Sequence, residues 1–300
     1  MSIRDGVLLL ALVTALCCAL PGIFIVLRKQ SMITDAISHA VLPGIVLGAI
    51  ITGKVNSPLL IVGAALTGLL VVLGAEYLDR SGLVTEDGAQ GLLFPALFSL
   101  GVILLSVYYK GSHLSQRSVL TGDLNFAAFI HWETENYDLG PQYMWVMIVV
   151  LLINIAYLAL FWRELVMSTF DREHAQTIGI KTGILHYGLM ALVALTIVAA
   201  FKAAGSVLVI AFLIVPAAIG VLVSKTMWQM VAVTVGSSLF AAYLGFEIAY
   251  QLKISTSPMM SLVEGAVFLV AFSGMFIVRW VAQRRAKKES MAEVVSESAL

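Results

Sequence analysis

The chain has 300 residues, of which 60% are hydrophobic and only 12% charged, and its mean hydropathy is +0.97. Long apolar runs recur from end to end, which excludes an ordinary water-soluble domain and makes this a polytopic membrane protein. Lys and Arg together number 18, as do Asp and Glu, so the formal net charge is zero and gives no ground for nucleic-acid binding.

Runs long enough to cross the hydrocarbon predict an all-α transmembrane bundle of about nine helices, near 6–27, 34–52, 58–78, 89–109, 142–162, 184–202, 204–224, 227–250 and 260–281. The first run follows Arg4, as in a secretory signal, but Asp5 cancels that charge and no clean small-residue cleavage site follows. It is read as the first membrane helix. Cys17 and Cys18 within it are adjacent, a poor arrangement for a disulfide, and read as small core residues.

The second run holds Asp35, His39 and Pro43. On a helix, residues four apart share one face. An ionisable pair at membrane depth is expensive and must face protein or a watery path. Carboxylate oxygen with imidazole nitrogen is a ligand set for Zn²⁺, Mn²⁺ or Fe²⁺; the alternative is an intrahelical hydrogen bond that neutralises both groups. Pro43 has no N–H, so the His39 carbonyl loses its helical partner. Ala36, Ala40, Gly44 and Gly48 form the neighbouring stripe, small enough for another helix to come close. Pro43 and Gly44 therefore suit a gate.

Pro95 and Pro216 are further breaks, each freeing a backbone carbonyl either toward a cavity or in a simple kink. The weaker stretch 117–130 reads as a short re-entrant or interfacial helix or a tenth partial crossing, within an outer loop, 110–141, whose His and acids either meet a soluble partner or form a solvated surface. After the fifth span, Phe170, Asp171, Glu173, Ala175 and Gly179 outline a short amphipathic helix, with Asp171 as N-cap and Gly179 as stop. It can dock in a groove of a soluble partner or lie on lipid headgroups. Glu247 and Glu264 fall in the last two spans; either can complete a metal site with Asp35 and His39, reach the interface, or pair with a cation such as Lys253. Residues 283–300 read as a polar, disordered tail after a transmembrane domain of 1–282. If loop 163–183 is cytoplasmic, twelve of the 18 Lys and Arg lie inside, with the C-terminus also inside. No P-loop, zincin or nucleophile-elbow motif is present, so no catalytic constellation stands out in the chain.

With these residues in view, the chain resembles the permease subunit of the ABC-3 family, bacterial ABC importers of manganese, zinc or iron, over roughly residues 6 to 281. Leu27-Arg28-Lys29-Gln30-Ser31-Met32 and the run from Asp35 to Gly44 carry the resemblance most specifically. Glu86-Asp87-Gly88-Ala89, Leu100-Gly101, the segment from Phe170 to Gly179, and Leu213 to Ala218 add to it. Thr121, Ala249 and Ser255-Thr256-Ser257-Pro258 depart from the family pattern. The resemblance implies a subunit of the bacterial cytoplasmic (inner) membrane. It implies ABC ATPase subunits pressing on 169–180, an extracytoplasmic metal-binding protein, and a second permease subunit, identical or paralogous. The divalent metal ion is cargo, and no permanently bound cofactor is expected. The residues alone also fit a secondary, proton-coupled metal transporter in which Asp35 and His39 relay a proton.

Overall fold

The computed structural model describes residues 3–53, 58–82, 84–108, 124–129, 131–134 and 137–297. Its helices are α1 (Ile3–Leu27), α2 (Ser31–Thr52), α3 (Pro58–Arg80), α4 (Glu86–Tyr108), α5 (Leu124–Phe129), α6 (Gln142–Leu160), α7 (Trp162–Phe170), α8 (Arg172–Thr177), α9 (Thr182–Ala204), α10 (Ser206–Val223), α11 (Met227–Leu252) and α12 (Thr256–Glu297). Two short strands, β1 (His131–Thr134) and β2 (Tyr137–Pro141), pair antiparallel between α5 and α6. Among the described residues, nine helices are long and apolar enough to span a membrane: α1 to α4, α6, and α9 to α12.

The helix ends follow local chemistry. Pro58 opens α3, where its missing N–H is no loss. A single residue, Gly205, separates α9 from α10; its φ of +82° lies in the region that glycine alone enters without strain. The turn from α1 to α2 is nearly as tight. Lys29 sits at φ +59°, and the N–H groups of Lys29 and Gln30 close on the carbonyls of Val26 and Ile25, each at 3.0 Å.

Helix α1 packs on α6, α9, α10 and α11, and the largest buried cluster forms around it, with Leu10, Phe24, Met190, Ile197, Phe212 and Leu213 at its centre. Asn154 of α6 is the main polar insert. Its amide donates to the Cys17 carbonyl at 2.9 Å and to Thr196 at 3.0 Å, so it ties α6 to α1 and α9. Cys17 and Cys18 are free and buried. Beside this core, α2, α3 and α4 form a second group, and α10, α11 and α12 a third.

The turn from α1 to α2, the last turn of α3, the joint between α7 and α8 and the start of α9 line one cavity. Arg4 at the start of α1, Lys253 beyond α11 and Thr256 at the start of α12 line another. The two cavities mark opposite ends of the bundle, and Arg28, Lys29, Arg80 and Arg172 all belong to the first.

Two features differ from the sequence reading, a β-hairpin after α5 and a longer last helix. Of the stretch 117–130, the described part forms only the single turn-and-a-half of α5, and residues 109–123 lie outside the described residues. A β-hairpin follows, favoured by the β-branched and aromatic residues Trp132, Thr134 and Tyr137. Helix α12 continues to Glu297, where disorder is expected from residue 283; that stretch has no Gly or Pro and is rich in Ala, Lys and Glu, all good helix formers.

Candidate functional site: the ionisable pair of α2 and the coupling segment

Asp35 and His39 lie on one face of α2, with His39 Nε2 3.4 Å from Asp35 Oδ1. The pair begins about 6 Å along the helix axis from Ser31, at the end that carries the basic cavity. Both side chains are open: 39% exposed for His39 and 46% for Asp35. Their neighbours on either side, Ala36, Ile37, Ser38 and Ala40, are buried. The fold therefore sinks one side of this turn and leaves the acid and the imidazole unclosed by their own subunit.

Helix α4 flanks the pair. Phe94 lies 5.6 Å from the His39 ring at an interplanar angle of 35°, and Phe98 meets the ring edge-on at 6.2 Å. One turn further along, α4 crosses directly over Pro43. A Cβ on Gly101 would stand 2.7 Å from the Pro43 nitrogen and 2.8 Å from its Cδ, so only glycine admits this crossing. On the adjacent face α3 comes equally close: a Cβ on Gly44 would lie 2.3 Å from the Gly63 carbonyl oxygen, and one on Gly63 2.6 Å from that of Gly44. The small stripe of α2 thus receives a neighbouring helix at Gly44. Beyond it Leu42, Val46 and Leu105 form an apolar seal with Phe98 and Val102.

The other candidate metal ligands stand elsewhere. Glu247 pairs with Arg4 at 2.8 Å and accepts from Gln251, at the end of the bundle far from Asp35. Glu264 is fully buried on α12, which packs on α10 and α11 rather than on α2, and neither of its oxygens has a hydrogen-bond partner among the described residues. No group of three or more His, Cys, Asp or Glu suited to a metal forms among the described residues. Within one subunit, then, Asp35 and His39 meet each other but neither glutamate. Spacing in sequence shows which residues share a helix face, not which helices share an edge. Pro216 is buried in α10, in the core rather than beside the pair.

The candidate coupling segment forms the capped helix that the sequence suggests. Asp171 caps α8, its Oδ1 accepting the His174 N–H at 2.8 Å. Gly179, at φ +88°, ends the turn, and the Ile180 N–H returns to the Ala175 carbonyl at 3.0 Å. Ala175 is buried, anchoring the helix, while Glu173 is exposed and Phe170 and Ile178 present large apolar surface to solvent, 66% and 52% exposed. Sequence reading treats 163–168 only as connecting loop; with Thr169 and Phe170 it forms α7 instead, starting beside the stacked Trp162 and Trp228 rings.

Arg28 was singled out only as part of a motif, yet it joins these regions. It bonds Thr169, Ser168 and His186 at the cavity wall. Burial is the main cause that lowers its guanidinium from the ordinary value, with the Arg172 charge adding to the effect.

Comparison with known proteins places the chain in a family. Residues 3–275 match the ABC 3 transport family. The manganese transport system membrane protein MntD of Bacillus subtilis is 35% identical over 275 residues, covering 91% of this chain and 92% of that protein. The zinc transport system membrane protein TroD of Treponema pallidum is 42% identical over 215 residues, 70% of this chain and 57% of that one. The chelated iron transport system membrane protein YfeD of Yersinia pestis is 34% identical over 87% of this chain and 82% of its own length. Among solved structures, PsaBC from Streptococcus pneumoniae in complex with Fab superposes with a TM-score of 0.75 at 27% identity, covering 91% of both chains. A putative metal-chelate type ABC transporter in an inward-facing conformation shares the fold, with a TM-score of 0.61 at 18% identity.

Proposed function

Since this chain belongs to the ABC 3 transport family, and so is a permease subunit of an ABC-type metal transport system, we propose that it forms the membrane path of an ATP-driven importer for divalent Mn, Zn or Fe. The observation that carries the reading is the half-open Asp35–His39 pair. An acid and an imidazole left open on a spanning helix are costly against lipid. A second subunit and a water-filled path between the two copies would remove that cost. Related by a two-fold axis, two copies would supply two carboxylates and two imidazoles, a complete N/O ligand set for a first-row divalent ion.

The relatives are named for manganese, zinc and iron, and such a site accepts all three. Raw affinity favours Zn²⁺ over Mn²⁺ at nitrogen and oxygen ligands, so discrimination falls to site geometry and to an extracytoplasmic protein that delivers the ion. Two ligands per subunit suit a transit site, which must release what it binds. The free carbonyl of His39, made available by Pro43, adds an oxygen dipole there. Gly44 and Gly101 bring α3 and α4 close against α2 at the next turn, where a gate would open and close. Separate ATPase subunits would press on α8, with Phe170 and Ile178 as the apolar contact and Ala175 holding the helix to the bundle. The subunit lies in the bacterial cytoplasmic membrane, with α8 and the C-terminus on the cytoplasmic side.

The test is metal uptake into proteoliposomes holding this permease with its ATPase and binding protein. Uptake of Mn²⁺, Zn²⁺ or Fe²⁺ that requires ATP and persists without a proton gradient is the expected result. Uptake that follows a proton gradient and ignores ATP would replace the importer with a secondary carrier.

A further inference from the structure

One cation at the base of the bundle has no place in the metal path. Arg28 Nε donates to Thr169 Oγ1 at 3.1 Å and Nη2 to Ser168 Oγ at 3.2 Å, while Nη1 lies 3.4 Å from His186 Nδ1. A guanidinium only donates, so the His186 nitrogen must accept. The two hydroxyls in turn donate to the Leu165 carbonyl, at 2.6 Å from Thr169 and 3.2 Å from Ser168, which turns their lone pairs toward Arg28. No carboxylate lies within ion-pair distance of Arg28 among the described residues. Its job is therefore not charge neutralisation within the subunit.

What Arg28 joins is more telling. Behind it the stiff turn at Lys29 and Gln30 leads straight into Ser31, the first residue of α2, and Asp35 follows one turn later. Ahead of it, Thr169 stands two residues before Asp171, the cap of α8. On the far side of α8, Gln176 bonds Thr182 at 3.0 Å, one turn before His186 on α9. Hydrogen bonds and short chain segments thus close a ring from Arg28 through Thr169, α8 and α9 back to Arg28. A push on α8 reaches the base of α2 through a planar, forked group, which resists shear better than a single hydrogen bond.

We infer that Arg28 is a positioning residue that hands the displacement of α8 to the base of α2, and so sets when the Asp35–His39 pair changes the membrane side it faces. This rests on the transport proposal, which supplies the ATPase that moves α8. Coupling needs an element whose arrangement both sites bias; here it is the α1–α2 turn.

The experiment uses the complete transporter, permease, ATPase and binding protein together, in proteoliposomes. Arg28→Ala should leave assembly and ATP hydrolysis near wild type and lower metal uptake about tenfold, the worth of roughly one charge-assisted hydrogen bond. Arg28→Lys, a point donor without the fork, should recover only part of it. A merely structural role would lower hydrolysis and uptake in parallel, and that result overturns the inference, as does an unchanged ratio of ions moved to ATP consumed. A second arm needs no transport. Spin labels at exposed His174 and Met32, each measured against a label at exposed Leu252, report α8 and the base of α2 separately; Cys17 and Cys18 are buried and do not compete. Nucleotide should move both labels in the wild type but only the one at His174 in Arg28→Ala. Continued movement at Met32 contradicts the strut. Should the wild-type complex fail to take up metal with ATP, the transport proposal falls, while the labels still decide whether Arg28 links the two helices.

Discussion

The α1–α6–α9 core and the α2–α3–α4 group handle polar atoms in opposite ways. In the core, Asn154 is buried, and its amide is spent on the Cys17 carbonyl and Thr196. In the α2 group, Asp35 and His39 pair with each other among the described residues and stay 46% and 39% exposed. The first arrangement holds three helices in one register. The second leaves polar atoms that one subunit does not satisfy, as the proposed transit site requires. Packing differs in the same sense: bulky Phe24, Phe212 and Leu213 fill the core, whereas α2 meets its neighbours at Gly44, Gly63 and Gly101.

Breaking the open pair should have the largest effect. Asp35→Ala or His39→Ala should each reduce metal uptake by about a hundredfold or more, since losing even an outer partner of a ligand costs 10–100-fold. Size-exclusion chromatography should show the complex still assembled. Loss of assembly instead would assign the pair a structural part like that of Asn154.

Next in size is the close helix crossing. Gly44→Ala puts a Cβ 2.3 Å from the Gly63 carbonyl oxygen and 2.4 Å from Thr67 Oγ1, an overpacking worth about 1–3 kcal/mol. Thermal melting in detergent should register it. Gly236→Ala on α11, with nothing within 4 Å of its Cβ, should melt like the wild type. Equal melting of the two variants would show that the α2–α3 contact is looser than described.

Asn154→Ala sharpens the contrast from the other side. It should cost about 0.5–2 kcal/mol of stability, the range for interhelical hydrogen bonds in membranes. Uptake per folded complex should not change. A specific transport defect at unchanged stability would erase the distinction between a static core and a working α2 group.

The smallest effect is expected at the coupling segment. Asp171→Ala removes the cap of α8, worth about 1 kcal/mol, and should lower uptake per ATP about fivefold. The measurement is the ratio of ions moved to ATP hydrolysed, and an unchanged ratio would detach the cap from coupling.

Much of this was legible in the chain itself. Nine apolar runs predict the nine spans because a membrane helix must be apolar along its own length. The Asp35–His39 spacing and the Asp171 cap with its Gly179 stop are equally local, set by residues within a turn or two. What the chain conceals is pairing between distant segments. Arg28 and Thr169 stand 141 residues apart, Arg4 and Glu247 243 apart, and hydropathy carries no trace of either contact. Gly101 is a middle case: a lone glycine in a Leu- and Ile-rich run hints at a close approach, yet the structure was needed to find Pro43 opposite it. The hairpin at β1 and β2 lies in an outer loop rich in His and acids, which shows no sustained alternating apolar pattern.

The central claim is that cargo metal sits on the imidazole of His39. Pulsed electron paramagnetic resonance of Mn²⁺ held in the assembled, nucleotide-trapped transporter tests it most directly. The account predicts an imidazole nitrogen coupling in the wild type that disappears in His39→Ala. The same nitrogen coupling in both proteins would place the metal elsewhere and contradict the site.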